Sequence, residues 1–158
     1  MFIQKILHVN RTLDETKTRF SALPFYRRAW EGLDRIEFRG KEMKMEFQAG
    51  LGVVVQALIE NLRSENPDEL LFHSCEGNVA VMGMIEFTPI KPRLTEVTLT
   101  LDYTVESPLR AFMNRVTGAI DRFLDDQIGI IEPILKGEVK TESPVYREAS
   151  PALSICLR

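Results

Sequence analysis

Apolar and polar residues alternate along this chain at two periods, and the change between Arg93 and Lys136 says most about its shape. Val97, Leu99, Leu101, Tyr103 and Val105 alternate with Thr98, Thr100, Asp102, Thr104 and Glu106. Successive side chains of a strand point to opposite faces, so this segment reads as a strand with one apolar and one wetted face. Ser107-Pro108 follows, a capping residue and then one suited to a first helical position. Beyond it Leu109, Phe112, Met113, Val116, Ile120, Phe123, Leu124, Ile128, Ile131 and Leu135 recur every three or four residues. That spacing predicts an amphipathic helix of roughly 27 residues, about 40 Å long. A helix of that length needs an equally long, curved apolar surface, which predicts a strongly bent antiparallel sheet able to enclose a cavity.

The rest of the chain supplies such a sheet. Residues 2–10 read as a strand with Ile3, Leu7 and Val9 on one face and Gln4, His8 and Asn10 on the other. Thr12-Leu13-Asp14-Glu15 matches a capping box and opens a short helix that ends before Pro24. A second short helix covers 25–30 and closes at Gly32. Strands follow at 33–39, 42–48, 51–63, 70–76 and 79–88. Turns separate them at Gly40-Lys41, Ala49-Gly50, Asn66-Pro67-Asp68-Glu69 and Gly77-Asn78, and Pro89 and Pro92 mark the last reversal. Fading alternation predicts a bulge near Ala57. Connectors this short join antiparallel strands, because parallel ones need long crossovers. The expected class is α+β: a curved antiparallel sheet of about seven strands around a long C-terminal helix, with two short helices after the first strand.

That order resembles the START-like helix-grip superfamily, which includes polyketide cyclases and aromatases, lipid-transfer domains and the birch-pollen allergen class. The likeness is carried by Val9-Asn10 leading into Thr12, by Ala22-Leu23-Pro24-Phe25-Tyr26 through Trp30, by Gly32-Leu33 to Phe38, and by Val97 through Leu135. It implies a helix-grip domain over residues 1–137. The tail over 138–158 is rich in Glu, Ser, Thr and Pro and reads as loosely ordered, with Val145-Tyr146 and Ala152-Leu153-Ser154-Ile155 as potential docking segments. The likeness also implies a cavity lid on the short helices, with Tyr26, Arg27 and Trp30 at the entrance. Pattern and architecture carry the resemblance, and a shared fold does not fix an activity.

Composition narrows the partners. The 158 residues, 44% hydrophobic and 27% charged, suit one globular domain. A net charge of −3, with no basic stripe among aromatics, gives no reason to expect nucleic acid. Arg27, Arg28, Arg35, Arg39 and Lys41 read as a solvated face. No stretch approaches the ~20 apolar residues of a membrane span, and residues 1–5 do not form a signal peptide. A cytoplasmic protein is expected, and a homodimer is compatible with the sequence. Cys75 and Cys156 show no metal-ligand spacing, and nothing supports a disulfide between them.

Candidate chemistry is sparse. Elbow, phosphate-loop and zinc-protease motifs are missing, and two histidines exclude a multi-histidine metal site, so neither cofactor nor metal is expected. His73 is a candidate acid or base if Leu71, His73 and Cys75 face inward, though a phase with Leu70, Phe72 and Ser74 inside is favoured. Cys75 as a nucleophile would have only His73 beside it, roughly 7 Å along the strand. Glu86 faces inward if Met82 and Met84 do, but hydrophobicity favours Val79, Val81, Gly83, Ile85 and Phe87 inside. Asp121 and Asp125 share a helix stripe that reads as solvated. With Tyr103 and Arg19, His73 and Glu86 complete the weak catalytic candidates. Met43, Met45, Met82 and Met84, with Phe47, His73, Tyr103, Phe112, Val116, Ile120 and Phe123, are the candidate pocket lining, since thioethers adapt to varied apolar ligands. Gly118 and Gly129 within the helix are candidates for a close approach, a kink or a pocket mouth. The expected function is binding of a lipid, polyketide or quinone between sheet and helix. The alternatives are a cyclase or dehydratase using the same cavity, and an interaction module using the tail.

Overall fold

The computed structural model describes residues 1–25, 27–106 and 109–138. Tyr26, Ser107, Pro108 and everything from residue 139 onward lie outside the described residues, including Cys156 and the expected docking segments. β1 (Phe2–Val9) leads into α1 (Leu13–Ala22) and two 3-10 turns, Leu23–Phe25 and Arg27–Trp30. Then come β2 (Arg35–Arg39), β3 (Glu42–Gly50), β4 (Val53–Leu62), β5 (Glu69–Gly77), β6 (Val79–Lys91) and β7 (Leu94–Val105). A 3-10 turn at Leu109–Phe112 precedes α2 (Met113–Lys136). The capping box is present: the Glu15 amide donates to Thr12 Oγ1, and Glu15 accepts from the Thr12 amide.

The strands form one antiparallel sheet in the order β1-β7-β6-β5-β4-β3-β2. Its curvature follows from what α2 touches. The helix contacts both β1 and β3, which stand five strand spacings apart in that order. A flat sheet would separate them by roughly 24 Å, against a helix diameter of about 10 Å. One turn of α2 reaches both, Asp121 and Asp125 pairing with Lys5 of β1 while Phe123 stacks on Phe47 of β3, so the sheet wraps around the helix.

Two departures from the sequence reading concern the helix. It does not run unbroken from Leu109: the first turn is 3-10, and Phe112 stands at the helix cap with no side-chain acceptor. A 3-10 turn takes three residues rather than 3.6, which shifts the apolar phase. Phe112 and Met113 are accordingly exposed, while Val116 is fully buried. Nothing lies within 4 Å of a Cβ built on Gly118 or Gly129, so neither permits a close approach.

The interior divides into two packed clusters. Phe47, Val53, Val55, Val79, Tyr103 and Val105 of the sheet pack with Val116, Ala119 and Ile120 at the start of α2. Leu7, Val9, Phe87 and Val97 pack with Leu23, Ala29, Ile134 and Leu135 at its end. Fourteen residues separate Ile120 from Ile134, about 21 Å along the helix. Between these clusters the space under α2 is not filled.

Candidate ligand-binding cavity

That unfilled space is a cavity of about 330 Å³. Its walls follow the strand alternation directly. Met43, Met45 and Phe47 of β3 face Val55, Ala57 and Ile59 of β4, and Leu70 and Phe72 continue the wall on β5. Val79, Val81 and Ile85 of β6 and Val97, Leu99, Leu101 and Tyr103 of β7 complete the sheet side. Ile120, Phe123, Leu124, Gln127, Ile128 and Ile131 of α2 form the roof. Phe47 and Phe123 stack face to face where sheet and helix meet, with centroids 4.4 Å apart and planes 8° from parallel. Leu23 and Trp30 close one end, the Trp30 indole N–H donating to the Leu23 carbonyl at 3.2 Å and its ring meeting Phe38 edge-on.

Of the residues proposed from the sequence, Trp30, Met43, Met45, Phe47, Tyr103, Ile120 and Phe123 line the cavity. Val116 is packed into the cluster at the start of α2 and does not line the cavity. Met82 and Met84 lie on the outer face of the sheet, Met82 being 62% exposed, because β6 turns Val79, Val81, Ile85 and Phe87 inward. The same phase puts Glu86 outside. His73 pairs across the strands with Met82 and Glu60 and is likewise on the outer face. Arg19 is committed elsewhere: with Arg11 it donates to the last carbonyls of α2, Arg19 to Ile134 and Arg11 to Lys136. Guanidinium groups there complement the negative end of the helix dipole. Partial desolvation and the neighbouring Glu60 carboxylate push the exposed Cys75 thiol above its usual range, which disfavours a nucleophilic thiolate. Of the four acid–base candidates, only Tyr103 meets the cavity.

Two polar residues that count most were missed. Gln127 lies on the roof within the apolar stripe, 6% exposed, and neither its oxygen nor its nitrogen has a hydrogen-bond partner among the described residues. Gly32 makes the room for it, since a Cβ built there would sit 2.2 Å from Gln127 Nε2. The Tyr103 hydroxyl is also buried without a partner among the described residues. A buried polar group without a partner costs roughly 1–3 kcal/mol, so neither is explained by packing of the protein on itself. The signal in the sequence was a lone amide at a stripe position between Leu124 and Ile128.

Lys5 is the second omission. It points inward between Ile3 and Leu7, lines the cavity, and reaches Asp125 at 2.7 Å and Asp121 at 2.9 Å. Hydrogen bonds to Asp125 and Asp121 raise its pKa above the ordinary lysine value. The two aspartates are thus not merely solvated; they fasten α2 to the edge strand along one side of the cavity.

A seven-stranded antiparallel sheet curved around a long C-terminal helix, with an apolar cavity beneath that helix, is the START-like helix-grip fold. Solved structures of that kind superpose along most of their length. A Thermus thermophilus protein matches with a TM-score of 0.71 at 16% identity, over 89% of this chain and 100% of that one. The Zhui aromatase/cyclase of a Streptomyces species gives 0.66 at 10% identity, over 87% and 92% of the two chains. A START superfamily protein of Mycobacterium smegmatis gives 0.55 at 13%, over 87% and 96%. No protein-family model and no curated protein matches the sequence. Among the described residues no helix is long and apolar enough to cross a membrane.

Proposed function

We propose that the protein binds a small, mostly apolar molecule in the cavity beneath α2, for carriage or sequestration. The observation that carries this is the 330 Å³ space walled almost entirely by aliphatic, aromatic and thioether side chains. Small-molecule sites start at about 300 Å³, and a dry void of about 150 Å³ already accepts a benzene-sized guest. The stacked Phe47–Phe123 pair and the methionines favour a guest with aromatic or conjugated character. Gln127 and Tyr103 favour one that also carries a carbonyl or hydroxyl, since each can donate and accept. A polyketide- or quinone-like molecule meets both conditions better than a plain hydrocarbon chain.

The test is titration of the delipidated protein with the fluorescent apolar probe N-phenyl-1-naphthylamine. Saturable 1:1 binding is expected, weakened at least about tenfold in Ala57→Phe and Leu99→Trp, which project rings into the space. Absence of saturable binding, or binding indifferent to both substitutions, would falsify the proposal.

Tyr103 favours a second reading, in which the pocket folds a polyketide-like substrate and the tyrosine hydroxyl moves a proton during cyclisation or dehydration. The likeness to an aromatase/cyclase adds to it. Tyr103→Phe is then expected to abolish turnover of a linear polyketide mimic while probe binding persists, and His73→Ala to change neither. Turnover unaffected by Tyr103→Phe would remove this reading and leave binding alone.

A further inference from the structure

A different group of side chains converges on the outer face of the sheet, behind the cavity wall. Glu60 on β4 and His73 on β5 stand directly opposite each other. Cys75 lies two residues further on, yet its sulfur is 3.7 Å from His73 Nε2, because the two side chains lean together. Cys75 Sγ is 3.3 Å from Glu60 Oε2, and His73 Nε2 is 3.5 Å from the same oxygen.

The backbone is irregular at this point. Leu58 pairs with Glu76 and Ile59 with Ser74, so Cys75 is the extra residue of a β-bulge, with no counterpart on β4. Bulges re-aim side chains and recur beside functional sites. The surroundings are acidic: Glu42 of β3 faces Glu60 across the ladder, and Glu76 adjoins Cys75. Like charges directly opposite are destabilising, and a cation held between the strands relieves that cost.

We propose that Glu60, His73 and Cys75 form a three-ligand site for a divalent transition metal of the zinc class, with a fourth position open to solvent. Zinc lies about 2.3 Å from thiolate sulfur and about 2.0–2.1 Å from imidazole nitrogen or carboxylate oxygen. In a tetrahedron those bonds give edges of about 3.5 Å from sulfur and about 3.3 Å between nitrogen and oxygen. The three observed separations agree to within a few tenths of an ångström, so an ion can enter with little movement of the strands. One sulfur, one nitrogen and one oxygen donor suit a borderline metal, whereas calcium and magnesium take oxygen ligands. Coordination uses the Cys75 thiolate, its proton passing to solvent as the metal–sulfur bond forms. Such a site ties β4 to β5 at the bulge and leaves a coordination position for water or an exogenous ligand.

Cobalt(II) provides the test, because thiolate coordination gives it a near-ultraviolet charge-transfer band and a tetrahedral site gives it intense visible bands. The full chain, stripped with chelator, is expected to bind one equivalent with both features, displaced by zinc. Cys75→Ser is expected to abolish the charge-transfer band. His73→Ala and Glu60→Gln should each weaken binding at least about tenfold, the low end of what even an outer-shell partner commands. Cys156→Ser should change nothing, and circular dichroism checks that each variant is folded. Binding without a thiolate band, a band that survives Cys75→Ser, or one lost in Cys156→Ser would each overturn the proposal.

Discussion

Gly77→Ala is expected to destabilise the protein by about 3 kcal/mol or more. Gly77 ends β5 at φ +133°, a conformation that residues with a Cβ rarely adopt. Space is also lacking: a Cβ there would sit 2.2 Å from the Gln56 carbonyl oxygen and 2.9 Å from Ala57 Cα. Both obstacles are backbone, so no rotamer change relieves them. The neighbouring Asn78 locks the same corner, accepting from the Gln56 amide and donating to the Val54 carbonyl. The alanine must therefore push β4 away from the β5–β6 turn or open the turn itself. Urea denaturation followed by circular dichroism measures the loss as a lower midpoint. An unfolding free energy within ~0.5 kcal/mol of the parent would mean that this corner yields far more readily than its backbone contacts imply.

Gln127→Leu is expected to act in the opposite direction on stability and to weaken recognition. Removing a buried amide without a partner from an apolar roof should stabilise the ligand-free protein by about 1–3 kcal/mol. Leucine is close in size and is a good helix former. The same change deletes a donor and an acceptor from the cavity. In the parent, 2-naphthol should bind more tightly than naphthalene; in Gln127→Leu that preference should shrink by up to about tenfold, the worth of one hydrogen bond. Greater stability with lost discrimination is the signature of a polar group retained for its ligand. A destabilised variant with unchanged preference would show instead that the amide serves the fold. Denaturation of the ligand-free protein and paired titrations with the two guests measure both quantities.

The architecture was legible because the strands facing the cavity are wetted on one side only. In β7 and β3 every second residue is apolar, so Val97 to Val105 and Met43 to Phe47 could be assigned to the interior from alternation alone. β6 is less informative, since Met82 and Met84 make its outer face apolar as well; Val79, Val81 and Ile85 had to outweigh them. Phe112 fits the helical period counted backward from Val116, but the 3-10 turn breaks that count. Gln127 and Lys5 were passed over for one physical reason. A search for apolar periodicity treats a polar residue in the stripe as a gap, whereas inside a cavity it is the residue with most to say to a ligand. His73 and Cys75 could be set side by side on one strand, but their meeting with Glu60 could not be read, because it depends on cross-strand register and on a bulge. A bulge was expected in β4 near Ala57; the register does shift next to it, between Leu58 and Ile59, but the extra residue is Cys75 on β5.

The two packed clusters at opposite ends of α2 have a thermodynamic consequence. The cavity separates them, and the side chains along its walls join them only around its rim. A guest that fills the gap touches both, and becomes in effect the middle third of the hydrophobic core. Each hundredfold excess of that guest over its Kd then adds about 2.7 kcal/mol to the stability of the whole fold. Resistance of the domain to unfolding, and with it to proteolysis, would then report how much of such a guest is bound.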